Sequence, residues 1–80
     1  MNNNDNLVKM VNQIGTFFES MPDRNEALEG IAMHLKKFWD PRMRKALIAM
    51  IDEQEHSEIK EIVLNAIETH REMLRVTEPS

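Results

Sequence analysis

Residues 31–44 read Ile31-Ala32-Met33-His34-Leu35-Lys36-Lys37-Phe38-Trp39-Asp40-Pro41-Arg42-Met43-Arg44. Apolar residues at helical spacing lead into an Asp-Pro pair, which marks a corner where a second helix starts. Asp40 has the side chain of an N-cap, because its carboxylate can accept hydrogen bonds from the unpaired N–H groups of the next turn. Pro41 follows at the first helical position, where its missing N–H costs nothing. We expect Phe38 and Trp39 to pack beneath this corner.

Five basic residues surround the corner, and with Asp40 they give residues 36–45 a net charge of +4: Lys36, Lys37, Arg42, Arg44 and Lys45. We call these five residues the basic corner. A helix start favours acidic side chains, because the backbone dipole is positive there. Positive charge in this place breaks a local rule without visible compensation, which often marks a functional surface. The interpretations that stay open are contact with an anion or acidic protein, plain solvation, or internal pairing with Glu53, Glu55 or Glu58.

The composition bounds the class of protein. Eighty residues make one domain, which buries only about 60–65% of its extended-chain surface, so a partner would add to its stability. The chain contains no cysteine, which excludes disulfides and thiolate metal sites. Its first residues lack a secretion signal, and no apolar run approaches the ~20 residues of a membrane span. We expect a cytoplasmic protein with no membrane contact, and the net charge of −4 argues against nucleic acid.

Apolar residues recur at three- and four-residue steps in four segments, and nowhere do they alternate as in a strand. The first helix is expected from about Asn6 to Ser20, with Asp5 or Asn6 as its cap. The second helix opens at Asp23, whose side chain can act as the N-cap in a capping-box pattern with Glu26.

The third helix is expected from Pro41 to about Ile51, followed by a polar loop over residues 53–56. Ser57 can then cap a fourth helix over residues 58–75. Because the first connection is very short, the first two helices should be antiparallel neighbours.

The sequence therefore predicts an all-α protein, a compact bundle of four short helices. A single helical domain should span residues 6–76. The ends, residues 1–5 and 77–80, are expected to be flexible.

The apolar stripes also predict whether individual apolar residues and glycines face the core or the solvent. Phe38 completes the apolar stripe of the second helix and should face the core. Gly15 lies at the edge of the first stripe, which predicts a close crossing with another helix. Gly30 lies on the far side of the second helix, where either a partner approaches or a surface glycine is tolerated. The apolar residues farthest from their stripes should point outward unless their helix is buried on two sides, and if they cluster they would form a docking patch: Met33, Ile48 and Leu64.

The sequence contains no recognisable catalytic motif. Its three histidines lack a second histidine three or four residues away, the pair that a helical metal site would supply: His34, His56 and His70. No glycine-rich phosphate loop or nucleophile motif occurs. We therefore expect no catalytic residue, no metal site and no cofactor in this chain.

Two blocks of the sequence carry a family resemblance. The first is Leu7-Val8-Lys9-Met10-Val11-Asn12-Gln13-Ile14, followed by Phe17-Phe18. The second is Ile31-Ala32-Met33-His34-Leu35 with Phe38-Trp39-Asp40-Pro41-Arg42-Met43-Arg44. In this order and spacing the blocks resemble the delta subunit of NAD-dependent formate dehydrogenase, over about residues 7–51. Residues 52–80 match only loosely, and their helix looks longer than is usual in the family.

The resemblance implies a non-catalytic subunit of a large cytoplasmic enzyme. In that family the alpha subunit carries molybdenum or tungsten on a bis-molybdopterin guanine dinucleotide, with iron–sulfur clusters, and other subunits carry flavin and reduce NAD. The delta subunit would assist assembly or stability through protein–protein contacts with the alpha subunit or its complex. By this resemblance seven residues are expected near the partner: Asn12, Gln13, His34, Trp39, Asp40, Arg42 and Arg44.

Two other functions stay open. A maturation chaperone that handles the anionic pterin cofactor or the apo-enzyme would also use the basic corner. A small helical regulator that binds nucleic acid or a transcription factor would show steep salt dependence of DNA binding. The sequence also leaves open whether the isolated chain self-associates.

Overall fold

The computed structural model describes residues 3–54 and 57–75, and in these ranges the chain consists of helices and loops without a strand. Its five helices are α1 (Asn3–Glu19), α2 (Arg24–Phe38), α3 (Pro41–Asp52), α4 (Glu61–Thr69) and α5 (Arg71–Leu74). The predicted all-α class is confirmed. The predicted number of four helices holds approximately, because the last expected helix is divided into α4 and the single turn α5. No helix in the described ranges combines the length and hydropathy needed to cross a bilayer.

Side-chain caps fix the starts of α2 and α3. Asp23 Oδ1 accepts a hydrogen bond from the backbone N–H of Glu26 at 3.2 Å. Asp40 Oδ1 accepts one from the N–H of Arg42 at 2.8 Å, and Pro41 is the first helical residue. Both carboxylates satisfy donors that a helix leaves unpaired in its first turn. The two predicted helix starts are confirmed.

The predicted start of α1 was wrong. The helix begins at Asn3, so Asp5 and Asn6 lie inside it and not at its N-cap position. Residues 1–2 and 76–80 lie outside the described ranges, as do Glu55 and His56 of the predicted polar loop. The flexible ends and the domain limits stay predictions.

The predicted helix over residues 58–75 was also wrong in its limits. α4 begins at Glu61, and Lys60 before it has an extended backbone with φ −59° and ψ 144°. Hydrogen bonds from α1 to this segment, described below, hold it outside the helix. At the other end the helix is interrupted at His70, with φ −115° and ψ 31°, where α4 ends and α5 begins.

α2 lies at the centre of the fold and packs against each of the other helices. Its residues Ile31, Ala32 and Leu35 are almost completely buried. The surrounding core residues come from the rest of the chain, and the most deeply buried of them are Val11, Leu47, Val63, Ala66, Ile67 and Leu74. The core is centred on α2 and holds this helix in place. The side chains at the C-terminal end of α2 are therefore held in a fixed position next to α1.

Two glycines mark close approaches between helices. A Cβ at Gly15 would lie 2.7 Å from Cγ2 of Val63, so α1 and α4 cross too closely for a larger side chain, as predicted. A Cβ at Gly30 would lie 2.4 Å from Cε1 of Phe18. The two interpretations offered for Gly30 were wrong, because Phe18 of α1 already covers it.

Met33, Ile48 and Leu64 are not exposed, so the docking patch considered for them does not form. All three residues are half-buried, and Ile48 and Leu64 pack against the core. Apolar residues off the main stripe of a helix find a second neighbour when several helices pack on one another.

Candidate docking surface

The large apolar side chains that are exposed in the described ranges are Met10, Phe17 and Phe38. Phe17 is 70% exposed and Phe38 is 72% exposed. Single exposed apolar residues are normal, but a group of them in one place marks an interaction surface. Met10 and Phe17 are seven residues apart on α1, so they lie on the same face of this helix.

A surface cavity of about 460 Å³ lies between this face of α1 and the C-terminal end of α2. We call it the aromatic groove, and its lining residues are Met10, Gln13, Ile14, Phe17, Phe18, His34 and Trp39. The rings of Phe17 and Phe18 meet edge to face, with centroids 5.0 Å apart and planes at 89°. The groove is therefore a built aromatic surface open to solvent.

Phe38 extends this surface along α2. Its ring centroid lies 4.9 Å from that of His34, which lines the groove. The prediction that Phe38 faces the core was wrong. α2 ends at Phe38, and Trp39 after it has an extended backbone with φ −91° and ψ 137°. As a result Trp39 is only 6% exposed and belongs to the core, while Phe38 stays outside.

Three residues that carry polar side-chain groups also line the groove. The side chains of Gln13, His34 and Trp39 make no hydrogen bond to any part of the chain that the structure describes. Binding sites combine an apolar lining with a few such convergent polar groups, which orient the bound molecule. Three of the seven residues predicted to lie near a partner are thus brought together here.

The basic corner begins beside the groove. Arg42 follows Trp39 by three residues, so their Cα atoms are at most about 11 Å apart. The side chain of Arg42 is 96% exposed, and its Nε lies 3.9 Å from Asp40 Oδ1. An ion pair so exposed contributes only ~0–1 kcal/mol. Arg42 is therefore a solvated charge, while Asp40 serves as the cap of α3.

Arg44 differs from Arg42 in its environment. It is half-buried, and its Nε is the one side-chain polar atom in the described ranges that is buried without a hydrogen-bond partner. The structure shows no ion pair from Arg42 or Arg44 to Glu53 or Glu58, and Glu55 lies outside the described residues. The internal pairing considered for the two arginines is thus absent from the described ranges.

Asn12 is not part of the groove. Its Nδ2 donates a hydrogen bond to the carbonyl of Glu58 at 2.8 Å, and its Oδ1 accepts one from the N–H of Lys60 at 2.9 Å. Lys60 Nζ also lies 3.2 Å from Glu19 Oε1 at the end of α1. Asn12 therefore fixes the segment before α4, and its predicted place near a partner has no support in this geometry.

A second cavity, of about 400 Å³, lies between α3 and α5. Arg71 lines it and bonds to Asp52 Oδ1 at 2.9 Å and Glu68 Oε2 at 3.2 Å. These hydrogen bonds, first that to Asp52, raise the pKa of Arg71 above its ordinary value. The charge of Arg71 is thus paired within the chain. The described residues also contain no group of three or more His, Cys, Asp or Glu that could hold a metal.

The fold and its surface define a small all-α domain in which an exposed aromatic groove adjoins a cluster of basic residues. Its sequence matches the family model of the NADH-dependent formate dehydrogenase delta subunit, FdsD, over residues 6–67. The chain belongs to this family. The match covers both walls of the groove and the basic corner, and it extends beyond residues 7–51, where the resemblance was first noted. Comparison with curated proteins and with solved structures finds no significant match.

Proposed function

We propose that this chain is a non-catalytic subunit that helps a formate dehydrogenase complex to assemble or to remain intact. It acts by protein–protein contact with the catalytic alpha subunit. The family itself supports this proposal, because its name describes a subunit of that enzyme.

The observation that carries the proposal is the position of the aromatic groove beside the basic corner. Phe17 and Phe38 expose apolar rings to water. A partner that covers these rings binds more tightly, because removing apolar surface from water is favourable. Arg42 presents a charge that is almost entirely in solvent. Aromatic residues and arginine are the side chains enriched in interface hot spots. A surface with both is suited to bind a larger protein, with Gln13 and His34 available to orient the contact.

The experiment that tests this function compares the enzyme from a host strain with and without this chain. With the chain tagged, we expect the alpha subunit to co-purify in a fixed ratio with active enzyme. Without the chain, less intact complex should elute from a sizing column, and the remaining activity should fall in proportion. If the complex forms in full yield and with full stability without this chain, the proposal fails.

The maturation chaperone remains the second candidate, because the solvated Arg42 and the unpaired Nε of Arg44 could hold an anionic group. The two functions differ in what the chain binds. A subunit stays in the finished enzyme at a fixed ratio, whereas a chaperone binds apo-enzyme and leaves. The pterin content of the enzyme also distinguishes the two functions. Loss of a chaperone lowers the pterin per alpha subunit, whereas loss of a subunit lowers the amount of complex.

A further inference from the structure

We propose that the aromatic groove binds an acidic amphipathic helix of the formate dehydrogenase complex. This inference rests on the proposed function and names the kind of segment that the chain recognises. The apolar face of that helix lies in the groove, and acidic residues in the turn beyond its apolar anchors meet the basic corner.

The shape of the groove favours a helix over other segments. An added strand needs an exposed sheet edge, and no strand occurs in the described ranges. One wall of the groove is the face of α1 from Met10 to Phe17, which is about 10 Å long at 1.5 Å per residue. This length equals two turns of a partner helix, which would place apolar anchors at positions i, i+3 or i+4, and i+7.

The charge beside the groove favours acidic residues next to those anchors. Lys37 lies one turn after His34 on α2, and Arg42 lies within about 11 Å of Trp39 along the backbone. A carboxylate in the turn beyond the last anchor therefore comes within reach of these cations, because each helical turn advances about 5.4 Å. A basic helix would instead bring like charges together.

The groove and the corner contribute differently to binding. Burial of exposed aromatic rings slows dissociation, whereas an exposed charge at the rim mainly affects the rate of encounter and its dependence on salt. Phe17 and Phe38 should therefore control how long the complex lasts, and Arg42 should have little influence on it.

The first test identifies the occupant directly. The photo-reactive residue p-benzoylphenylalanine replaces Phe17 in one variant and Phe38 in another, and Asn65, an exposed residue of α4, is the control position. The complex is irradiated in cells, purified and mapped by mass spectrometry. We expect cross-links from both Phe positions, and fewer from Asn65, to a segment with apolar residues at helical spacing and Asp or Glu in the next turn. Cross-links to a basic or non-periodic segment, to a second copy of this chain, or to nothing in an intact complex would overturn the inference.

The second test measures dissociation. Labelled variants are loaded into the complex and chased with excess unlabelled chain. Phe17→Ser and Phe38→Ser should dissociate at least about tenfold faster, and Phe17→Leu, which keeps most of the apolar area, much less so. Arg42→Gln should change the dissociation rate by less than about threefold. The Phe17→Ser chain can also melt like wild type and fail to enter the complex, while Phe17→Leu enters it. This result supports the inference in the same way as faster dissociation.

The outcomes separate the two proposals. If the wild-type chain does not associate with the complex, the proposed function fails and the groove has no role in it. If the wild-type chain associates and both serine variants dissociate at the wild-type rate, the function stands and the inference about the groove is overturned.

Discussion

The two flanks of α1 have opposite environments. On one flank Asn12 is bonded to the backbone of residues 58 and 60, and Gly15 packs against Val63 of α4. On the other flank the side chain of Gln13 makes no hydrogen bond within the described ranges, and Phe17 exposes most of its ring. We call these the sealed flank and the open flank.

The comparison separates structural residues from those available to a partner. Asn12 and Gln13 are neighbours with the same amide group, and both lie in a block that resembles the family. The amide of Asn12 is used within the chain, because a half-buried backbone N–H needs an acceptor. The amide of Gln13 is left unused beside exposed apolar surface. Function should therefore be sought on the open flank, and substitutions on the two flanks should affect different measurements.

The largest expected effect distinguishes two adjacent aromatic residues at the end of α2. Trp39→Ala should cost about 3–5 kcal/mol in the free energy of unfolding, because it removes a buried ring from the core. Phe38→Ala should change it by less than about 0.5 kcal/mol, because the ring is exposed. Urea unfolding of the isolated chain measures both. Equal losses for the two variants would contradict the division between core and docking surface.

The next effect compares the two neighbouring amides. Asn12→Ala should cost about 1–3 kcal/mol, because the N–H of Lys60 loses its acceptor and the segment before α4 is released. Gln13→Ala should have little effect on stability and should weaken association with the enzyme. Thermal unfolding and co-purification of each variant check the pair. A larger loss of stability for Gln13→Ala than for Asn12→Ala would contradict the division of α1 into a sealed flank and an open flank.

The cap of α3 tests whether Asp40 acts within the chain. Asp40→Ala should cost about 0.5–2 kcal/mol, because its carboxylate accepts the N–H of Arg42 in the first turn of the helix. Asp40→Asn should retain most of the stability, since asparagine also caps well. Chemical unfolding of both variants gives the two values. Equal loss of stability in both variants would mean that the negative charge of Asp40, and not its capping hydrogen bond, stabilises the protein.

The two glycines lie at close contacts between helices, one on each flank. Gly15→Ala should destabilise by about 1 kcal/mol, because overpacking against the buried Val63 exceeds the gain in helix propensity. Gly30→Ala should be nearly neutral, because the ring of Phe18 is only partly buried and can turn away. That movement should reshape the groove, so weaker association at unchanged thermal stability is the expected result. A larger loss of stability for Gly30→Ala than for Gly15→Ala would show that Phe18 is held as rigidly as the core.

The smallest effect on stability is expected at the basic corner. Arg42→Gln combined with Arg44→Gln should leave the thermal melt unchanged or raise it slightly, because positive charge near a helix start is unfavourable. Association with the enzyme should weaken and lose part of its salt dependence. Arg24→Gln, at the exposed start of α2, is the matched control. Unfolding of the double variant would show that the arginines are internal partners after all.

Local features of the fold were predictable from the sequence. Asp23 and Asp40 cap helices through bonds to residues two or three positions ahead, so the local pattern contains the whole interaction. The close crossing at Gly15 followed from its place at the edge of a stripe. The burial of Trp39 was expected for a large ring beside a corner.

The features that the sequence did not reveal depend on distant partners. Asn12 lies 46 and 48 residues from the groups it binds, and those bonds moved the start of α4 away from Ser57. Gly30 is explained only by the ring of Phe18 on another helix. Phe38 follows the period of α2, but no helix in the described ranges covers it. Of the predicted partner residues, Gln13, His34 and Trp39 meet in one groove, and that grouping required the packing of α1 on α2.

Trp39 has a consequence for how this protein can be observed. It is the one tryptophan of a chain without tyrosine, so fluorescence excited at wavelengths that phenylalanine does not absorb comes from a single site. The ring is buried in the core and also forms part of the groove. Unfolding moves it into water and shifts its fluorescence to longer wavelength, whereas a ligand in the groove alters the intensity of the folded protein. One spectrum of the unlabelled chain can thus report both its folding and the occupancy of its surface.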